Sequence, residues 1–414
     1  MQRRFQRTLA FIERNKFNPK MLNHFDWGLL VLVLSISFFG VVCIFSATAV
    51  PVDGDPSQMS FLEIIRTQPT RYASLQLLWI LLGTVAMAFI VFIKTDYFER
   101  YSNTIYWLNL ALLLLVLFTE RGRGAMAGWF RWGSDMNRTI QPSEFGKLAI
   151  IIALAKIFAG RKKPISNIKE LGPVVAYVGV PLLLIVLQPD VGTALVYLVI
   201  FGVMLFASGT SYKLIFGILM VALLMMFPLW YYLNNRAGDD FRLQRILVFL
   251  DQTLDTNGSG MQMNNARIAL GSGGMWGKGM FSEGNFASLN YIPDDYTDFI
   301  FAIVGESFGF VGAAILVLAL LTLIIWLIVL SSRATTAFGT YVIIGVAAMF
   351  LFHIVENVGM VIGLLPVTGI PLSFVSYGGS NLLTNYMAMG LVFGISMRSR
   401  DDRQHNNQVR AARL

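Results

Sequence analysis

Ten apolar runs separated by polar loops constrain the fold of this chain more than any other feature. They fall at about residues 27–47, 74–93, 104–118, 145–158, 173–187, 193–207, 214–233, 299–330, 340–365 and 381–397. About 20 apolar residues in a helix cross a 30 Å hydrocarbon core. Inside that core a helix satisfies every backbone donor and acceptor from within its own segment. The expected fold is therefore an all-α polytopic membrane protein with about ten transmembrane helices and a large extracytoplasmic loop between helices 7 and 8. Several runs are short for the core and are expected to be tilted, broken or shielded by neighbours. Charge content agrees: 14% charged residues cannot coat a solvated surface that normally needs about 25%. Ala47-Thr48-Ala49 has the look of a signal-peptidase site, but the run before it is long enough to span and many more follow, so it is a retained first helix.

Lys and Arg in short loops orient such a bundle. The basic segment 1–26, the loop bearing Arg161, Lys162, Lys163 and Lys169, and the basic tail 398–414 agree with one another and are expected on the cytoplasmic face. The membrane domain is then 27–397, with both termini inside. The formal charge of +8 follows this loop pattern rather than the clustering of a nucleic-acid surface. Cys43 stands alone, so no intramolecular disulfide forms, and His24, His353 and His405 are too scattered for a zinc site. Two outward connections are unusual. Residues 120–144 carry four arginines against the orientation rule, and 234–298 is a loop long enough to be functional or partly folded.

The candidate chemistry gathers on that outer side. Asp294, Asp295 and Asp298 sit where the long loop enters an apolar run. Either Thr297 or Asp298 caps the next helix, or a carboxylate is held there for use. Glu144 and Lys147 lie at i and i+3 after Gln141-Pro142-Ser143, on one face of a helix start. They form a local ion pair, or they join Arg131 in offering positive charge to an anionic substrate. Trp129 and Trp132 flank Arg131 as interface aromatics. Asp190 lies in a tight turn at a helix mouth. The glycine-rich stretch Gly271–Gly279 carries Lys278. It lacks the Ser or Thr of a Walker A motif, and its amides either cradle a pyrophosphate or form a plain turn. Glu306, Glu356 and Asn357 are polar positions inside apolar runs, where functional roles and interhelical hydrogen bonds compete. His353 and Glu356, at i and i+3, are a weak metal pair without further ligands. The Gly/Pro-broken stretch from Gly363 to Ser380 must be buried or line a cavity at membrane depth.

Arg131-Trp132, Gln141-Pro-Ser-Glu144, Gln188-Pro-Asp-Val-Gly-Thr193, Gly271-Ser-Gly-Gly274, Tyr291-Ile-Pro to Thr297-Asp-Phe-Ile-Phe301, and Gly363 to Ser380 together resemble the SEDS family. These are the RodA/FtsW-type peptidoglycan glycosyltransferases of bacteria, and the match is colinear over roughly residues 25–397. Two positions depart from the usual pattern: Tyr296 stands where His precedes Thr-Asp, and Ser373 where a second Pro is usual. Glu356 to Pro366 and Ile268 to Gly274 look more like the elongation branch, RodA, than the division branch, FtsW.

The resemblance implies a ten-helix enzyme that polymerises lipid II at the outer face of the cytoplasmic membrane, with Asp298 as the essential catalytic residue. On this basis Asp298 is the expected general base. Arg131, Lys147, Glu144 and Lys278 are expected at the pyrophosphate or substrate. Trp132, Gln141, Asp190, Glu306, Asn357, Ser376, Gly378 and Gly379 are expected to support the cavity. Attack by a sugar hydroxyl would invert the anomeric carbon and expel undecaprenyl pyrophosphate, which needs one base and cations rather than paired carboxylates. Mg2+ or Mn2+ fits the leaving group, although no dedicated site is apparent. The partner the family implies is a class B penicillin-binding protein. The rival readings are a flippase for lipid-linked precursors, which broken helices and buried charge also suit, a scaffold for a partner enzyme, and the division paralogue.

Overall fold

A computed structural model describes residues 23–48, 70–119, 128–131, 138–188, 190–218, 259–280 and 295–411, with single positions or pairs between them. The basic segment up to residue 22, Trp132, Asp294 and most of the seventh expected span lie outside the described residues. Ten helices and one short ribbon make up the described elements: α1 Trp27–Ala47, α2 Arg71–Phe92, α3 Thr95–Thr119, β1 Phe130–Arg131, β2 Arg138–Ile140, α4 Pro142–Ala159, α5 Ile168–Leu187, α6 Val191–Ala207, α7 Ser259–Ser272, α8 Ile300–Ser332, α9 Ala337–Val361 and α10 Gly379–Ala411. Nine of these match expected spans, and residues 212–218 are helical where the seventh begins. Six are long and apolar enough to cross a membrane by length and composition alone.

Local signals start the helices where the sequence changes from polar to apolar. The Asp26 carboxylate accepts from the Leu29 N–H, Asp190 from Thr193 N–H at 3.0 Å, and Thr336 from Gly339 N–H at 3.1 Å. Each takes up a backbone donor that has no partner in the first turn. Pro142 opens α4, where its missing N–H costs nothing. The outward surface of α2 carries Leu81, Val85 and Phe89, all exposed, one turn apart. A lipid environment makes that face favourable. α9 is enclosed by α4, α6 and α8, and α2 lies along α10.

Three features depart from a plain helical bundle. The connection before α4 contains an antiparallel ribbon pairing Phe130 with Ile140 and Arg131 with Arg138, a small strand element that the all-α expectation does not include. The run expected as continuous over 299–330 breaks at Gly309, with φ 68° and ψ −169°, a backbone region open essentially to glycine alone. Glu306 thus belongs to a short segment before the break rather than to the long helix beyond it. α10 continues to Ala411, about 50 Å of helix at 1.5 Å per residue, so the basic tail begins as an extension of the last span.

Candidate active site

The broken stretch after α9 returns to the bundle in two halves. Residues 362–369 are largely half-exposed, while Leu372–Ser376 is buried against α1, whose Gly40 lets the backbone of Val375 come close. Here the Leu372 N–H donates to Ser376 Oγ at 2.8 Å, and Gln76 Nε2 donates to the Ser376 carbonyl at 3.2 Å. Phe374 holds φ 67°, unusual for a residue with a side chain. Its ring is fixed edge-on between Phe350 and Tyr386. Gly379 opens α10 in contact with the Trp79 ring, and Gly378 precedes it.

Asp298 ends the turn that leads into α8 and is half-buried. The helix cap falls on Phe299, with no side-chain cap bond, so neither Thr297 nor Asp298 fills the N-cap position. The turn is gripped through its backbone. Buried Asn357 donates from Nδ2 to the Asp298 carbonyl at 2.8 Å and to the Ile370 carbonyl at 2.9 Å. The Tyr377 N–H donates to the Tyr296 carbonyl at 2.9 Å. Tyr296 also stacks on Tyr72 with centroids 4.5 Å apart. One amide and one aromatic stack therefore join the Asp298 turn to α9, the broken stretch and α2.

A second polar centre lies deeper. Lys147 is 1% exposed and Glu144 4%. Lys147 Nζ donates to Glu144 Oε1 at 2.6 Å and lies 3.2 Å from His353 Nε2. An ammonium has only donors, so Nε2 is the acceptor and Nδ1–H donates to Ser373 Oγ at 2.7 Å. Asn381 donates to Glu144 Oε2 at 2.8 Å, and Asn385 in turn donates to Asn381. Both His353 nitrogens are thus engaged, and Glu356 accepts from the Thr368 hydroxyl. The pair at i and i+3 serves hydrogen bonding. Among the described residues no group of three or more His, Cys, Asp or Glu is placed to hold a metal.

Asp190 ties α6 to α4, accepting from Gln141 Nε2 at 2.8 Å and Ser143 Oγ at 3.2 Å. Burial raises its carboxyl above the ordinary range, and the Thr193 N–H pulls the other way. The Gln141 N–H donates to Ser380 Oγ. Asp190 and Gln141 therefore frame the start of α4 beside the start of α10.

The glycine-rich stretch lies flat against the break in α8. Lys278 N–H donates to the Glu306 carbonyl, Gly279 N–H to Ser307, and Phe310 N–H to Gly274. Glu306, fully buried, accepts Phe286 N–H on both carboxylate oxygens and pairs with Lys278 Nζ at 3.2 Å. Those amides are used in docking, so the anion cradle offered as one reading of the sequence does not form in this arrangement. Lys278 pairs with Glu306 and is not joined to the Glu144–Lys147 pair. The backbone of Arg131 is fixed in the ribbon.

The sequence profile of FTSW_RODA_SPOVE, cell cycle protein, matches residues 27–401. The chain belongs to this family. A probable peptidoglycan glycosyltransferase FtsW of Trichlorobacter lovleyi is 32% identical, over 91% of this chain and 94% of the relative. The peptidoglycan glycosyltransferase MrdB of Escherichia coli K12 is 34% identical, over 76% of this chain and 83% of the relative. A solved chain from work on a peptidoglycan synthase complex that coordinates polymerization and crosslinking superposes with TM-score 0.73. It is 27% identical and covers 91% of this chain and 98% of that one.

For this FTSW_RODA_SPOVE member, Asn381 and Asn385 were not among the expected site residues, Ser373 stood out only as a departure from the family pattern, and His353 only as half of a metal pair. The available signal was their polarity inside or beside apolar runs, where a polar group turns towards the bundle interior.

Proposed function

We propose that this chain is a peptidoglycan glycosyltransferase that polymerises lipid II at the outer face of the cytoplasmic membrane. Family membership and the names of its relatives support the activity. The observation that carries the catalytic assignment is Asp298. It is a half-buried carboxylate outside the helix cap, on a turn gripped by Asn357 through its backbone carbonyl. In this reading Asp298 takes the proton of the attacking sugar hydroxyl. The new bond forms from that oxygen to the anomeric carbon as the bond to undecaprenyl pyrophosphate breaks, inverting the centre. Arg131 is proposed to face the developing pyrophosphate charge. Lys147, enclosed with Glu144, is proposed to hold α4 and its loop in place, and Lys278 to hold the large loop. A divalent cation is proposed to accompany the pyrophosphate.

A tie between the two ends of the membrane domain supports their lying on one face, and the basic loops support that face being cytoplasmic. The His24 carbonyl accepts from Arg400, and the Asp26 carboxylate pairs with the same guanidinium. An elongation role with a class B penicillin-binding protein as partner is proposed from the Ile268–Gly274 and Glu356–Pro366 stretches. The test is polymerisation of labelled lipid II by purified protein with Mg2+ or Mn2+, wild type against Asp298→Asn. Long glycan strands from wild type alone are expected. Strands from both would discard the base. Silence from both, even with the penicillin-binding protein added, would favour the flippase.

A further inference from the structure

The end of the bundle opposite Asp298 carries a feature that glycan polymerisation does not use. Asn357, which holds the Asp298 turn, and Tyr341 lie sixteen residues apart on α9, about 24 Å at 1.5 Å per residue. Around Tyr341 opens a cavity of about 200 Å³, lined among others by Phe158, Arg161, Lys162, Lys163, Ser208 and Tyr341. Its walls come from the α4–α5 loop and the turn after α6, fastened together where the Ser211 N–H donates to the Ile165 carbonyl at 3.0 Å.

Three cations share this small volume, and their charge is poorly matched. Arg161 pairs with Glu170 at 3.7 Å and also donates to the Glu170 carbonyl. Among the described residues no carboxylate lies within ion-pair distance of Lys162 or Lys163, and both are exposed. Basic residues after a helix C-terminus are ordinary where they face the helix dipole or obey the orientation rule. Neither cause requires a cavity. This one has an apolar side in Phe158, whose ring lies 5.7 Å from that of Tyr341. Tyr341, also in the lining, carries a phenol hydroxyl that can donate. Two residues before and four residues after the lining Ser208, Phe206 and Tyr212 have ring centroids 6.1 Å apart and are 59% and 76% exposed. Cations and a phenol against exposed aromatic faces match an amphiphile with an anionic head, because the aromatics would line its acyl chains. A free anion would leave that apolar surface unused.

We propose that this cavity binds the phosphate of an anionic phospholipid of the phosphatidylglycerol class, with Lys162 and Lys163 as its charge partners. Free inorganic phosphate shares the head-group chemistry, so the test separates the two. The full chain, purified in detergent and stripped of lipid, is titrated with phosphatidylglycerol or with phosphatidylcholine, and bound lipid is counted by native mass spectrometry. Phosphatidylglycerol is expected to be retained as a discrete adduct and phosphatidylcholine is not. The double variant Lys162→Gln/Lys163→Gln is expected to weaken retention about 30-fold, from about a factor of five for each surface lysine. Lys162→Arg/Lys163→Arg, which keeps both charges, is expected to retain the adduct. Equal retention of both lipids, or an unchanged adduct in the Gln variant, would overturn the proposal. Displacement of the lipid by millimolar inorganic phosphate would reassign the cavity to free phosphate. Since these surface side chains support no packing, matching unfolding curves for the lipid-free variants would separate lost binding from lost fold.

Discussion

Lys147→Met is the most informative perturbation of the buried centre. Lys147 is nearly inaccessible, and it supplies the countercharge to Glu144 at 2.6 Å and a donor to His353 at 3.2 Å. Met fills similar volume without the charge. Glu144 then keeps only the Asn381 amide at 2.8 Å as a described polar partner. Removing one member of a buried ion pair costs about 3–5 kcal/mol, because the remaining charge is uncompensated. Replacing both members, Glu144→Gln with Lys147→Met, removes both charges and leaves a neutral acceptor for Asn381. It should recover at least about 2 kcal/mol of the single-variant loss. The assay is denaturant unfolding of the detergent-solubilised chain for wild type, both singles and the double. A loss below about 1 kcal/mol for Lys147→Met, or a double as unstable as the sum of the singles, would refute the reasoning. Polymerisation by the double then separates two roles. Recovered stability with recovered activity assigns Lys147 to positioning, whereas recovered stability without activity would return it to the pyrophosphate.

Three other outcomes follow from the same geometry. Asn357→Ala frees the carbonyls of Asp298 and Ile370 together; a stability loss of about 1–3 kcal/mol and a larger fall in lipid II polymerisation than in binding are expected from parallel unfolding and turnover measurements. Gly309→Ala places a side chain at φ 68° against the backbone of Met275 and Gly277; at least about 1–3 kcal/mol of strain should release the glycine-rich stretch, read as faster amide hydrogen exchange at residues 274–279. Asp26→Ala removes one carboxylate that serves the Leu29 N–H, the Trp326 indole and Arg400; a fall of about 1.5–3 kcal/mol is expected in unfolding experiments.

The fold was legible because lipid imposes a length and a polarity on every spanning segment, and nine runs with their polar loops met both conditions. The helix start at Asp190 was also readable, since capping is local; the caps at Asp26 and Thr336 emerged only with the structure. The break at Gly309 was not, because a glycine inside an apolar run does not by itself end a helix. It becomes decisive only when the glycine-rich stretch presents its carbonyls from outside. The same stretch shows why a motif underdetermines chemistry: its amides suited an anion equally well until their partners, the carbonyls of Glu306 and Ser307, were in view. Glu144 and Lys147 were legible as a pair. Their burial was not, since an i,i+3 spacing is identical on a surface and in a core. The residues that enclose them, His353 and Asn381, come from more than 200 positions away.

The division between the two polar centres has a physical logic. A base must change its protonation state during each turnover, so it cannot be locked to a permanent countercharge without losing basicity. A positioning pair must not change state, so deep burial with fixed donors suits it. On the proposed assignment of Asp298 as base, the two centres are reached from different positions of α9. His353 reaches Lys147, and Asn357, one turn further on, reaches the backbone of the Asp298 turn. The Asn357 grip is on a carbonyl, so it fixes where the turn sits through the backbone. Glu306 separately holds Phe286 and Lys278 to the short segment before Gly309. A shift of α9 by one turn would therefore disturb the buried pair and the Asp298 turn together, which makes the spacing between His353 and Asn357 as restrictive as the identity of either residue.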